Sequence, residues 1–555
     1  MSDSFTVSDA AVDRLAAVDP IRATDMGLTE HQDRWTDLSP DGVAAIREVL
    51  TDIRAEGAAC PAPDGRHRLA HRVLLEHCDA ELALHEADFF LQDLNNIVCP
   101  HQILRFTFGS MAKSTVEDWE AIVTRVETIG QPLDGYLRTL EEGRRRGLVA
   151  SRRQVEAVLE QGLLTAGDDS PFDELRGQLA GADIDAGPLG DRLERGIATA
   201  KRAFLDFNDY LSGTYLADAA EADGVGRERY AVAARIFLGT DLDLAETYRW
   251  GWDEIERLWS DIQAACARID DRASVAEVID RLKHDPAYAA ADVDEFIDLM
   301  KERQASALSA LDGVHFDVPA EIRSIDVQVE AAGGASAAHY VPPSEDFSRL
   351  GSVWYPVAGK THFPLFQEVT TAYHEGFPGH HLQMGVQITR AAELSRFHRL
   401  AVWYPGSGEG WALYAEHLMG ELGYLERPEY VVGLLSSQLL RACRVAIDIG
   451  CHLDLPIPDD VTFHPGEGWS FELAHELLTD RALAADDDAR SEVTRYLGWP
   501  GQAISYKVGE QAILDLRAEA EAGAAGGFQP KAFHARVLEV GSVGLDLLRD
   551  HVRAG

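Results

Sequence analysis

The run Tyr373-His374-Glu375-Gly376-Phe377-Pro378-Gly379-His380-His381-Leu382-Gln383 constrains this chain more than any other stretch. It reads as a zinc-hydrolase helix with an interruption in it. In the uninterrupted pattern H-E-x-x-H, two His at i and i+4 share one helix face and bind Zn²⁺, and the Glu beside the first His is the general base. Here His380 stands six positions after His374. On a continuous helix, six positions turn the second imidazole roughly 120° away from the first, and one cation could not hold both. His381 would return to the right face, but roughly 10 Å along the axis. Pro378 breaks the continuity, because it has no N–H for the carbonyl of His374 and its ring clashes there. Gly376 and Gly379 permit unusual dihedrals on either side. A bulge or kink is therefore predicted between the two halves, with two looped-out residues restoring an effective i, i+4 relation between His374 and His380. The plainer reading is a helix end and a Gly-Pro turn capped by two His. It leaves unexplained why Glu375 follows His374.

A third ligand should be an acidic residue on a neighbouring helix. Glu409, in Pro405-Gly406-Ser407-Gly408-Glu409-Gly410-Trp411-Ala412-Leu413-Tyr414-Ala415-Glu416, is the next candidate. Ser407 is a plausible N-cap, which puts Glu409 in a first helical turn. There it could also serve merely to complement the helix dipole. Glu416 lies seven positions on, on nearly the same face, where it could orient a ligating His from behind.

The segment 431–451 is apolar almost throughout, as expected of a buried helix. Yet Arg441, Arg444, Asp448 and His452 form one polar stripe along it. Buried charges are costly unless paired, so an Arg444–Asp448 pair is predicted. His452 is then a candidate donor to a substrate or transition state, or else a complement to the helix C-terminus. A last cluster surrounds Arg495-Tyr496 and Pro500-Gly501-Gln502-Ala503-Ile504-Ser505-Tyr506. Pro500-Gly501 signals a turn with a helix after it. Tyr506 is a candidate phenol donor to a developing oxyanion, with a satisfied core tyrosine as the alternative.

Three segments, H-E-G-F-P-G-H-H-L-Q, E-G-W-A-L-Y-A-E and R-Y-x-x-x-P-G-Q-A-x-S-Y-K-x-G, together resemble DUF885, a bacterial and archaeal family of unknown function grouped with the gluzincin metallopeptidases. The helix from Leu439 to His452 also matches its pattern, and the likeness is sharpest over 353–509. The resemblance implies a mainly α, zincin-like architecture with a deep cleft, and zinc-dependent peptide hydrolysis. It implies His374, His380 and Glu409 as ligands of one Zn²⁺ and Glu375 as base. His380 is preferred because Gly379-His380 resembles the Gly-His ending of the H-E-x-G-H form. His381 stays an alternative ligand, and Arg444 and Tyr496 are candidate substrate-binding residues.

The whole chain bounds the remaining possibilities. With 555 residues and 46% hydrophobic content it can bury a sizeable core. Its 93 acidic residues face 51 basic ones, a formal net charge of −42. That surface argues against nucleic-acid or anionic-membrane partners. Its self-repulsion is best screened in a cytosol of high ionic strength, as in a halophile. No signal peptide is expected at Met1-Ser2-Asp3-Ser4-Phe5, which predicts a cytoplasmic protein. No stretch is expected to cross a bilayer, since 431–451 carries Arg and Asp. The six cysteines form no C-x-x-C motif and are expected as buried thiols.

Helical patterns dominate to about residue 310, including 69–91, 116–148 and 191–213, with breaks near Gly167–Pro171 and Asp185–Pro188. Between 325 and 357 the character changes to short strands, at Ile325-Asp326-Val327-Gln328-Val329, His339-Tyr340-Val341 and Ser352-Val353-Trp354-Tyr355. Turn clusters at Gly333-Gly334 and Pro342-Pro343-Ser344 separate them. The predicted organisation is a helical region 1–310 forming one side of a cleft, and a catalytic region 311–555 with this small sheet ahead of the metal helix. An edge strand of that sheet could pair with an extended peptide. The functional reading is a zinc metallopeptidase acting on peptides or small amides. The alternatives are a zinc hydrolase for a non-peptide amide or ester, and a non-catalytic binding protein that keeps the fold.

Overall fold

Several helices begin where their caps dictate. Thr115 accepts the amide of Asp118, whose carboxylate returns to the amide of Thr115, at the head of helix Val116–Thr128. Ser274 and Glu277 do the same for Val275–His284. Such caps satisfy first-turn N–H groups and stabilise by about 1 kcal/mol each. The computed structural model describes residues 3–168, 170–330, 337–524 and 526–554. It is mainly helical with a little sheet, as expected. The predicted helix 116–148 is in fact two, Val116–Thr128 and Gly130–Arg146. Pro132 accounts for the division, since it has no N–H for the carbonyl of Thr128.

Contacts gather the chain into two units. One holds Met1–Val225, Ser395–Ala401 and Leu497–Trp499, the other Gly226–Leu394, Val402–Tyr496 and Pro500–Gly555. The boundary thus falls at Val225/Gly226 rather than at the predicted 310/311. The helices Arg227–Leu238, Leu244–Ile269, Val275–His284 and Val293–Leu311 continue the helical pattern of the first unit but pack in the second. Leu244–Ile269 lies against Pro428–Leu453 so closely that a Cβ on Gly251 would come 2.8 Å from Val445 Cγ1. That tertiary preference has no local signature.

The core of the first unit includes Trp119, Ile122, Leu133, Phe204 and the stacked pair Tyr136 and Phe207, whose centroids are 5.3 Å apart. Arg125 is fully buried there. It donates to the carbonyls of Arg34 (2.9 Å) and Pro20 (3.1 Å) and to the Thr24 hydroxyl (2.8 Å), which ties down the N-terminal segment.

The second unit carries the sheet. Ser352–Tyr355 is its centre, parallel to Asp326–Val329 and antiparallel to His339–Val341, with Val353 opposite both Val327 and Tyr340. All three predicted strands are present. The Gly333-Gly334 turn lies outside the described residues. Helix Pro428–Leu453 is long and apolar enough to cross a membrane by length and composition, contrary to expectation, but 72% of its most apolar window is buried within the protein.

Two further helices of this unit, Pro405–Glu421 and Ser505–Gly523, touch backbone to backbone. A Cβ on Gly509 would stand 1.9 Å from the carbonyl oxygen of Gly406, and one on Gly410 would stand 2.4 Å from the carbonyl carbon of Gly509. Only glycine permits that approach, which also sets the distance between Glu409 and Tyr506 on the two helices. Gly509→Ala is expected to lower stability by about 1–3 kcal/mol through overpacking, read as a shift in the denaturant midpoint. Gly523→Ala, on the same helix with no atom within 4 Å of the added carbon, should show no such loss.

Candidate metal centre

The metal motif is two helices, Glu368–Glu375 and His380–Thr389, joined by Gly376-Phe377-Pro378-Gly379. The break folds back onto the first helix. A Cβ on Gly379 would lie 1.9 Å from the carbonyl oxygen of His374, so glycine serves close approach here, in addition to the dihedral freedom anticipated. Gln304, on helix Val293–Leu311, holds both sides of the gap. Its amide nitrogen donates to the carbonyl of Ala372, and its oxygen accepts the amide of Phe377 at 2.6 Å. Trp411 Nε1 donates to the carbonyl of Pro378 at 2.9 Å. The main-chain groups released by the interruption are therefore satisfied in a buried place.

Rephased in this way, the two imidazoles meet. The rings of His374 and His380 lie 5.0 Å apart at 86°. Glu409 Oε2 stands 3.3 Å from His374 Nε2 and 3.5 Å from His380 Nε2. Ligand atoms about 2.1 Å from a tetrahedral zinc are separated by about 3.4 Å, so these spacings fit one ion. Glu409 Oε2 is also buried with no hydrogen-bond partner among the described residues, which is costly unless a cation meets it. The three side chains form a group able to hold a metal, and two imidazoles with one carboxylate suit zinc.

Glu416 grips His374 from the other side. Its Oε1 accepts from His374 Nδ1 at 2.7 Å, which leaves Nε2 to present its lone pair. Glu416 is held in turn by the Thr370 hydroxyl at 2.7 Å and by Arg441 at 3.7 Å. Burial disfavours a charged His374, but the carboxylates of Glu409 and Glu416 outweigh it and raise its pKa to about 10. Burial likewise works against a charged Glu409, but the two imidazoles hold it well below the usual carboxylate range. Glu375 lies half-buried beside this group, 3.8 Å from His374, and desolvation pushes its pKa up despite the two imidazoles.

His381 is turned away from the group. Its Nε2 donates to the carbonyl of Ile322 at 2.8 Å, and its Nδ1 accepts from Tyr340 at 3.0 Å. It therefore ties the metal segment to the sheet and is not an alternative ligand. Ser407 is not the N-cap either. The helix begins at Pro405, so Glu409 lies beyond the first turn, where the dipole matters least.

The polar stripe pairs differently from the prediction. Arg444 reaches Glu492 on helix Asp486–Gly498, with Nη2 2.8 Å and Nε 3.1 Å from Oε2, and leaves Asp448 to the Tyr230 hydroxyl (2.6 Å) and the Gly501 amide (3.0 Å). Burial pushes Asp448 up to about 7, against those two bonds. His452 is fully buried and gives its Nε2 to the carbonyl of Tyr496 at 3.0 Å, so its predicted donor role to substrate is not what the geometry offers. Tyr496, also fully buried, hydrogen-bonds Glu492 and Arg444 and props the arginine instead of facing outward. Tyr506 does approach the centre. Arg444 sits 4.6 Å from its ring centroid, and Glu409 is among the charges that perturb it. Its hydroxyl has no hydrogen bond among the described residues. Gln304, Glu492 and Thr370 were not foreseen. Glu492 follows three exposed aspartates and looks like part of a solvated face, and Gln304 is an unmarked polar residue in mid-helix.

The chain belongs to the family described as bacterial protein of unknown function (DUF885), which matches residues 20–552. Its fold is similar to that of a putative lipoprotein from Colwellia psychrerythraea, at 21% identity and a TM-score of 0.86, covering 99% of this chain and 98% of that one. It is also similar to a putative lipoprotein of unknown function from Shewanella oneidensis, at 16% identity and a TM-score of 0.74, covering 99% of each chain. At these identities the likeness is one of fold. No curated protein matches the chain.

If this group holds zinc, replacing Glu416 by Gln should weaken its binding about 10–100-fold by loosening His374, measured by competition with a chromogenic chelator, and replacing His381 by Asn should leave the zinc content unchanged. Loss of the ion in that variant would mean that the imidazoles have been assigned the wrong way round.

Proposed function

We propose that this protein is a zinc-dependent metallopeptidase acting on short peptides, within a zincin-like helical architecture. The observation that carries the reading is Glu409 Oε2, buried between two imidazole nitrogens with no hydrogen-bond partner among the described residues, and Glu375 3.8 Å from His374. His374, His380 and Glu409 would hold the ion. Zinc bound there supplies Lewis acidity, which polarises a carbonyl and lowers the pKa of water toward 7.

The rest of the chemistry falls to side chains of the chain. Glu375 takes a proton from water as the water oxygen bonds to the carbonyl carbon. It then passes that proton to the nitrogen as the C–N bond breaks. A carboxyl whose pKa is raised by burial suits both halves of this task, accepting first and donating second. Tyr506, with no hydrogen bond among the described residues to give up, can donate its O–H to the developing oxyanion. The edge strand His339–Val341, joined to the metal segment through Tyr340 and His381, offers main-chain groups to an extended substrate.

Glu375→Gln should retain zinc by elemental analysis while turnover of a peptide mixture, followed by mass spectrometry, falls about 10²–10⁴-fold. An undiminished rate would remove Glu375 from the mechanism. Tyr506→Phe should lower kcat about 10²–10³-fold with zinc content unchanged. Hydrolysis of small acyl esters in place of any peptide would redirect the reading to a different carbonyl substrate.

A further inference from the structure

Beside the metal centre lies a concentration of positive charge that runs against the character of the whole chain. Arg444 and Arg495 both converge on one oxygen, Glu492 Oε2, at 2.8 Å and 3.1 Å from their Nη2 atoms, and the Tyr496 hydroxyl is bound to the same oxygen. Two guanidiniums thus share a single carboxylate. Their side chains are only 10% and 13% exposed. Asp448, the acid that the sequence offers Arg444, is engaged elsewhere and is held toward its neutral form by burial. Arg495 Nε is buried with no hydrogen-bond partner among the described residues. A protein with a formal net charge of −42 therefore sets two guanidiniums against one shared carboxylate in a largely desolvated place, with Arg495 Nη1 3.3 Å from Gln502 Oε1 and its Nε unmet, an arrangement that has room for a further anion.

Its position says which anion. Arg444 stacks 4.6 Å from the ring centroid of Tyr506. The charges of Glu409, Arg444, Arg495 and Arg441 all act on that phenol, so the cations and the metal-ligand candidate Glu409 share Tyr506 as a neighbour. A guanidinium pair matches a carboxylate in shape and hydrogen-bonding pattern. Resting on the hydrolase reading above, we infer that Arg444 and Arg495 bind the free C-terminal carboxylate of the substrate, so that the enzyme cleaves peptides near their C-termini. Glu492 and Tyr496 act as positioning residues that fix the two guanidiniums.

The test uses the full-length zinc-loaded protein and one peptide made in two forms, with a free C-terminal carboxylate and with a C-terminal amide. The free acid should be turned over with a kcat/KM at least about 10-fold higher, as expected for loss of a partner from a desolvated charge pair, and the fragment carrying the original C-terminus should be the shorter of the two first products. Arg495→Gln should collapse the acid-to-amide ratio toward one, chiefly through KM, and Arg495→Lys should restore part of it. Equal turnover of the two forms by the wild-type protein would overturn the inference. If neither form is cleaved, the hydrolase reading fails, and the anchor is judged by calorimetric binding of the same two peptides. Tighter binding of the free acid that Arg495→Gln abolishes sustains it, and equal binding refutes it.

Discussion

Two imidazoles six residues apart can share one point in space only because the chain doubles back between them. The missing side chain of Gly379 lets the loop press on the carbonyl of His374, and Gln304 and Trp411 satisfy the polar groups exposed by the interruption. Without those partners the break would bury bare amide and carbonyl groups, each costing about 1–3 kcal/mol. The convergence of His374, His380 and Glu409 follows from that local solution.

A second constraint fixes the other half of the centre. Gly406, Gly410 and Gly509 allow two helices to meet at their backbones, which brings Glu409 and Tyr506 to the same place from different elements. Glu409 and Glu416, two turns apart on one of those helices, then reach the two nitrogens of a single ring. Burying charges behind the site is tolerable because the supporting carboxylates have cationic neighbours: Arg441 for Glu416, and Arg444 and Arg495 for Glu492.

Where chemistry and local rules coincide, the sequence was legible. The Pro378 break, the strands Asp326–Val329, His339–Val341 and Ser352–Tyr355, and the grouping of His374, His380 and Glu409 all follow from residue type and spacing. What was hidden depends on tertiary neighbours. The spacing of four between Arg444 and Asp448 suggested a pair, but Glu492 and Tyr230 come from other helices and take one member each. His452 looked like a donor at the end of a stripe, yet the carbonyl it meets belongs to a distant segment. The division of the chain at Val225 likewise depends on helix packing against Pro428–Leu453, and no change in composition announces it.

The amide of Gln304 has a mechanical meaning as well as a chemical one. It spans the gap between Ala372 and Phe377 from a helix that contributes no ligand atom. A displacement of Val293–Leu311 would load that gap and, through it, the spacing of the two imidazoles. A cation held between them would then feel the tension in a remote strut.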